Sequence, residues 1–252
     1  MMNDQRTRWY SIFFSLYFLF RHLRILGWSL LLVVLTCLLT WIGYLEATAL
    51  IDALVGGFFQ HPPEQTGITG WLAVKGWLVL RYVFLFFSRV IAFYLAFLAA
   101  YCLTTPGYVF LSGATEKVFR RRGNDPGERF TIKTALTDLW EGIKIGAVGI
   151  MVTAVALIVN FLPLIGQVSA FLLYVFYSAL MFVDYPASNR HWSLGRKIGW
   201  VKNHYGHSFR LGIFPALISM IPLVNIFLMA LLFPLLTVHS TLNFLSVEDK
   251  EW

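Results

Sequence analysis

The sequence predicts an all-α integral membrane protein: two full transmembrane helices, two proline-tipped and partly re-entrant helical hairpins, and amphipathic interfacial helices. Three observations carry this reading. First, 58% of the 252 residues are hydrophobic and only 13% are charged, where a soluble domain is nearer one half apolar and one quarter charged. Second, charge is missing from long stretches: Ile25 to Leu45, Tyr82 to Thr115 apart from Arg89, Ile145 to Val183, and Leu211 to Val247. Each reaches or passes the roughly 20 residues that cross a hydrocarbon core about 30 Å thick. Third, the net charge of +7 is segregated along the chain. Arg6, Arg8, Arg21 and Arg24 precede the first span. Lys117, Arg120, Arg121, Arg122, Arg129, Lys133 and Lys144 follow the second. Arg190, Arg196, Lys197, Lys202 and Arg210 separate the third region from the fourth. The connection near residues 45–70 holds Glu46, Asp52 and Glu64 with no Lys or Arg. The positive-inside rule then puts both termini in the cytoplasm and that connection outside. It also accounts for the basic composition without a nucleic-acid partner.

Taken in order, the chain reads as one membrane domain over residues 1–252. Residues 9–24 form an interfacial helix, aromatic-rich from Trp9 to Phe20 and too short to span. Helix one covers 25–54; Gly56-Gly57 and His61-Pro62-Pro63 break it. Helix two covers 71–104, ends before Pro106, and is long enough to cross and project beyond the membrane. Residues 116–144 form a cytoplasmic loop and an amphipathic helix. Ile132, Ala135, Leu136, Leu139, Trp140 and Ile143 recur at the spacing of one helix face. Lys133, Thr137, Asp138, Glu141 and Lys144 take the other face, so this helix is expected to lie on the membrane or on its neighbours.

The remainder contains an internal echo. Phe161-Leu162-Pro163-Leu164-Ile165-Gly166 matches Met220-Ile221-Pro222-Leu223-Val224-Asn225. Pro followed by Gly or Asn is turn chemistry, and each turn sits inside an uncharged region. Residues 145–184 and 211–245 therefore read as two hairpins, joined by a basic cytoplasmic loop at 185–210. The arm from Leu211 to Ile221 covers only about 16 Å as helix, too little to cross. Pro163, Gly166, Pro222 and Asn225 are the expected turn residues. Within the loop, Ser193 is expected to cap a short helix with Leu194, Ile198, Val201 and Tyr205 on one face. Arg196, Lys197 and Lys202 are expected to face the headgroups.

Three runs resemble a known family: Leu162 to Gln167, Phe182-Val183-Asp184-Tyr185-Pro186-Ala187-Ser188-Asn189, and Ile221 to Asn225. They are similar to the CysZ family of bacterial sulfate permeases, within a superfamily that includes the etoposide-induced membrane proteins. The likeness covers most of the chain from Leu103 onward, and Pro106 to Val118 resembles the family's proline-started segment ending in Glu-x-Val. It implies sulfate uptake across the bacterial inner membrane for cysteine synthesis, by a multi-pass homo-oligomer with no enzymatic activity or cofactor. It further implies a sulfate site at a Gly-Leu-Arg-like motif just before the first span. This sequence has Arg21-His22-Leu23-Arg24 there, so Leu23 and Arg24 match and His22 stands where the motif has glycine.

The candidate anion-binding residues are thus Arg21, Leu23, Arg24 and Arg89. Arg21 and Arg24 are three apart, as on one helix face. Two guanidinium groups can fork onto an oxyanion, and they equally suit anchoring to lipid phosphates. Arg89 is the charge deepest in a span, where ionisable groups are costly and mark function or pairing. Glu46 and Asp52 are its candidate ion-pair partners, with Arg81 beside it. Asp184 is expected to pair with Arg190, Arg196 or Arg210. Asn160, Gln167 and Asn225 are expected to satisfy backbone groups at the turns, and His239 to be a hydrogen-bonded packing residue. Cys37 and Cys102 lie in apolar spans and suggest neither disulfide nor metal, and no nucleotide, metalloprotease or nucleophile-elbow motif occurs. A second function stays open on these residues: a non-transporting membrane protein whose amphipathic and half-inserted helices scaffold partners or shape lipid.

Overall fold

The computed structural model describes residues 9–59, 61–63, 67–120, 132–163, 165–221 and 224–248. They form eight α-helices: α1 (Ile12–Arg21), α2 (Leu23–Phe59), α3 (Gly67–Phe119), α4 (Ile132–Val159), α5 (Ile165–Ser188), α6 (Leu194–Asn203), α7 (Tyr205–Ser219) and α8 (Val224–Glu248). Five segments are long and apolar enough to cross a membrane: Leu23–Phe59, Gly67–Phe119, Leu139–Val159, Ile165–Ser188 and Asn225–Glu248. The chain is a multi-pass, all-α membrane protein. Beyond the two long helices, both arms of the first hairpin and the second arm of the second thus have spanning length. Of the hairpin arms among the described residues, α7, with 15 residues, stays short, at about 22 Å.

Helix α1 starts at Ser11, whose hydroxyl accepts from the Phe14 N–H at 3.2 Å. It buries Ser15, Phe18 and Leu19 and is tied to α8 by polar contacts. Asn243 Oδ1 accepts from the Tyr10 N–H at 2.9 Å, and its Nδ2 donates to the Tyr10 carbonyl at 3.1 Å. Ser15 Oγ lies 2.9 Å from His239 Nδ1. The anchor helix is therefore docked on protein as well as suited to an interface.

Two prolines sit inside helices that the sequence reading ended early. Helix two was expected to stop before Pro106; α3 runs through it to Phe119. The loop expected from residue 185 begins later, because α5 carries Pro186 inside and ends at Ser188. A proline removes one N–H and frees the carbonyl four residues back. Within an apolar environment that group needs another donor, and for Pro186 the structure supplies one. Ser240 Oγ on α8 donates to the Phe182 carbonyl at 2.8 Å, fully inside the protein.

The amphipathic helix and the first hairpin arm are one element, α4, with no break at residue 144. Its apolar face turns outward, as suits a helix lying on the membrane, while one acid of its other face turns inward. Leu136, Trp140 and Ile143 are exposed, whereas the Glu141 side chain is only 18% exposed. In a membrane the apolar stripe can face lipid while the acid turns to a cation. Helix α6 departs from the expected orientation: Lys197, Trp200 and Val201 are buried, while Ile198, and Tyr205 at the start of α7, are exposed.

By contacts the chain divides into two compact units, one comprising Met1–Val34 and Cys102–Trp252, the other Leu35–Tyr101. In the first, α8 is the central element: 72% of its most apolar window is buried, against 11% for that of α4. Its core joins Ile145, Ala179, Val183, Trp200, Leu211 and Phe244. Helices α5 and α7 approach so closely that a Cβ on Gly212 would lie 1.9 Å from the Val175 carbonyl oxygen. In the second unit, α2 and α3 run as an antiparallel pair, with Gly43 against Ala96 and Phe59 against Trp77 and Phe84.

Two glycines on α7 separate backbone packing from helix propensity. Gly212→Ala is expected to lower the melting temperature of the detergent-solubilised protein, with a loss of about 1–3 kcal/mol from overpacking. Gly206→Ala, which enters open space, is expected to be neutral or to stabilise by up to about 1 kcal/mol. Equal melting of the two variants would refute close α5–α7 packing.

Candidate functional site

Three groups of charged residues stand out, and each is set by local helix geometry. The first is the step between α1 and α2. His22 has φ −111° and ψ 88°, which interrupts the helix between Arg21 and Arg24. These two residues are therefore on different helices, and not on one face as their spacing suggests. The His22 carbonyl accepts from the N–H groups of Ile25 at 2.8 Å and Leu26 at 3.0 Å, so it starts the ladder of α2. His22 Nδ1 turns back to the Phe18 carbonyl at 2.8 Å. This conformation is open to any L-residue, so the break does not require glycine. Arg21, Leu23 and Arg24 are exposed, with Arg21 lying along Tyr17. The first N–H groups of α2 lie outside its own ladder, at the positive end of a 37-residue helix.

The second group lies within the Leu35–Tyr101 unit. Arg89 donates from Nη2 to both oxygens of Asp52 at 2.9 Å and from Nη1 to the Thr48 carbonyl at 3.3 Å. Arg81 stacks over Trp77 at 5.7 Å. Arg81, Arg89 and Asp52 line one cleft of about 380 Å³. Glu46 is exposed and makes no ion pair among the described residues.

The third group is buried at the base of the hairpins. Lys197 Nζ, with no solvent exposure, donates to Asp184 Oδ1 at 2.6 Å and to Ser188 Oγ at 3.0 Å. Glu141 Oε2 lies 3.7 Å away, and Lys144 pairs with that same carboxylate. The lysine thus joins α4, α5 and α6. Asp184 was expected to take one of three arginines; it takes Lys197, which was expected to face the headgroups. Nothing in the spacing distinguishes these cations, since the choice depends on how α6 rotates against α5. Beside this set, Glu116, Arg190 and Glu248 form a second chain, with Glu116 to Arg190 at 3.7 Å and Arg190 to Glu248 at 3.0 Å. Trp200 Nε1 donates to Glu248 at 2.8 Å. The sequence placed Lys197 and Glu141 on polar helix faces and Glu116 in the Glu-x-Val segment, paired none of them, and gave no role to Glu248. The available signal was the lone Asp184 closing an uncharged arm, a group that needs a cation from a neighbouring element.

Of the turn residues, Gly166 has its reason in packing: a Cβ there would lie 2.1 Å from the Val159 carbonyl oxygen. Pro163 is exposed in the preceding turn. Asn225 Nδ2 donates to the Ser219 carbonyl at 3.1 Å, across the second turn. Pro222 lies outside the described residues, as does the Arg121–Arg122 part of the basic loop. Among the described residues no group of three His, Cys, Asp or Glu side chains is placed to hold a metal.

The family model described as sulfate transporter CysZ/Etoposide-induced protein 2.4 matches residues 11–230. No curated protein matches the chain.

A buried charge left without its partner costs about 3–5 kcal/mol, whereas replacing both partners with apolar residues is often neutral. Lys197→Met alone is therefore expected to lower the melting temperature sharply, and Lys197→Met with Asp184→Leu to recover most of the loss. A double variant no more stable than the single one would contradict the pairing.

Proposed function

We propose, for a chain that belongs to the sulfate transporter CysZ/Etoposide-induced protein 2.4 family, that it carries sulfate or a closely similar oxyanion across the bacterial inner membrane. The observation that carries the reading is the helix break at His22, which leaves Arg24 exposed at the amino end of α2. Amide N–H groups at a helix N-terminus point outward and favour anions. A guanidinium beside them adds forked, charge-assisted donors. Leu23 and Arg24 match the family's Gly-Leu-Arg-like motif, and His22 provides a break there without glycine. Arg21, on the other side of that break, can approach the same anion from a separate helix.

Arg89 fits a structural role better than an anion pathway, because its Nη2 already serves both oxygens of Asp52 and its Nη1 the Thr48 carbonyl. The basic segments near α1, after α3 and around α6 raise the local concentration of anions at the cytoplasmic face. The sequence carries no nucleotide-binding motif, so transport follows the sulfate gradient. The chain works as a homo-oligomer, with both termini cytoplasmic and no enzymatic step or cofactor. Membrane lipids are its other partners.

Uptake of labelled sulfate into proteoliposomes tests this reading. The wild type is expected to exceed empty vesicles, and Arg24→Ala to lower initial uptake about tenfold, the cost of one charge-assisted contact. Uptake no greater than in empty vesicles would instead favour a scaffolding or lipid-shaping protein.

A further inference from the structure

The Arg81–Arg89 cleft offers a different chemistry from the helix break at His22. Its charged members are two guanidinium groups and one carboxylate. Arg89 is spent on Asp52 and on the Thr48 carbonyl, so that pair is internally neutral. Arg81 keeps its charge and most of its five N–H donors, its guanidinium carbon lying over the Trp77 ring. The rest of the lining is apolar, with Val55, Phe59 and Phe84 among it. One unspent guanidinium on the wall of an otherwise apolar cleft suits an anion that brings its own hydrocarbon. A free, strongly hydrated oxyanion would lose water here and meet few compensating donors.

Depth along α2 supports the same ligand. The uncharged run from Ile25 to Leu45 is already about 30 Å of helix, the thickness of the hydrocarbon core. Asp52 follows Leu45 by seven positions, about 10 Å further along the helix. The headgroup layer begins there, within the reach of an arginine side chain. Trp71, Trp77 and Tyr82 on α3 belong to the residue types that gather at this level.

We propose that this cleft in the Leu35–Tyr101 unit binds the phosphate of a phospholipid headgroup, on the side of the membrane remote from the basic segments. Arg81 holds the phosphate, Asp52 fixes Arg89 so that the cleft stays open, and Phe59 and Phe84 line the start of the acyl chains. The site is separate from the sulfate site at Arg24 and stands whether or not that chain transports sulfate.

Native mass spectrometry of the delipidated, detergent-solubilised protein with added phosphatidylglycerol tests the proposal. Arg81→Gln is expected to reduce bound lipid about tenfold, the equivalent of one charge-assisted contact. Gly56→Leu provides a second variant that keeps every charge. Gly56 lines the cleft and a Cβ there meets nothing within 4 Å, so a larger side chain is expected to occupy cleft volume and also to reduce binding. Inorganic phosphate and sulfate are expected not to displace the lipid. Retention of lipid in both variants at the wild-type level would overturn the proposal. Displacement by inorganic phosphate or sulfate would also overturn it, marking the cleft as a free-oxyanion site. Arg81→Gln proteoliposomes are expected to keep sulfate uptake, which separates this outcome from the Arg24→Ala result.

Discussion

A buried lysine–aspartate pair constrains the unit of Met1–Val34 and Cys102–Trp252 more than any other single interaction. Lys197 has no solvent exposure and Asp184 almost none. Removing two such charges from water costs several kcal/mol each unless the pair is close and its remaining hydrogen-bond capacity is filled. The structure meets that requirement with three elements. Asp184 comes from α5, Lys197 from α6, and Glu141 from α4. Ser188, one turn beyond Asp184, supplies a further oxygen to the ammonium. Once these groups are fixed, the rotation of α6 follows, and with it the burial of Trp200 against Phe244. Glu248 at the end of α8 is then positioned to accept from the Trp200 indole and to meet Arg190.

The second constraint is the bilayer as solvent. Backbone groups there have no water to fall back on, so every irregularity must find a protein partner. Pro186 frees the Phe182 carbonyl, and Ser240 fills it. The second hairpin turn leaves the Ser219 carbonyl, and Asn225 fills that. Asn243 serves the Tyr10 backbone in both directions, which ties the first described helix to the last. The polar side chains within α8 thus serve an internal scaffold, in keeping with its burial. Glycine works toward the same end by allowing backbones to touch, as at Gly166 and Gly212. The two units differ in this respect. Among its described residues, the Leu35–Tyr101 unit is a helix pair held largely by rings and by the Arg89–Asp52 ion pair, and these charges border a cleft.

Much of this was legible in the residues. Long uncharged stretches gave the helices and their class, because hydrocarbon thickness sets a minimum length that sequence displays directly. The turn at Asn160 to Pro163 and that after Ser219 were visible as proline signatures. Arg89 was visible as a charge that needed a partner, and Asp52 was one of its two candidates. The ends of helices were not visible. Proline argued for stops at 106 and 186, and the stops failed because a stop in lipid would orphan several backbone groups where the proline orphans one. The boundary between the interfacial helix and helix one was expected at 24/25 and falls at His22, since a histidine carries no turn signal to fix its position. The candidate anion residues were identified by type, but the arrangement of Arg21 and Arg24 across two helices was not.

The sequence by itself determined that this chain lives in a membrane, where its long uncharged stretches lie, and which connections are basic. These properties depend on composition summed over twenty residues, and no neighbour can alter them. Only the tertiary structure decided which face each helix turns inward. Leu136 and Trp140 face out while Glu141 faces in, and Lys197 is buried while Ile198 is not. The physical reason is that lipid accepts an apolar face as readily as a protein core does. Hydrophobic periodicity therefore finds a helix in a membrane but cannot orient it. Orientation falls to a few polar partners, and these meet only once the chain has folded.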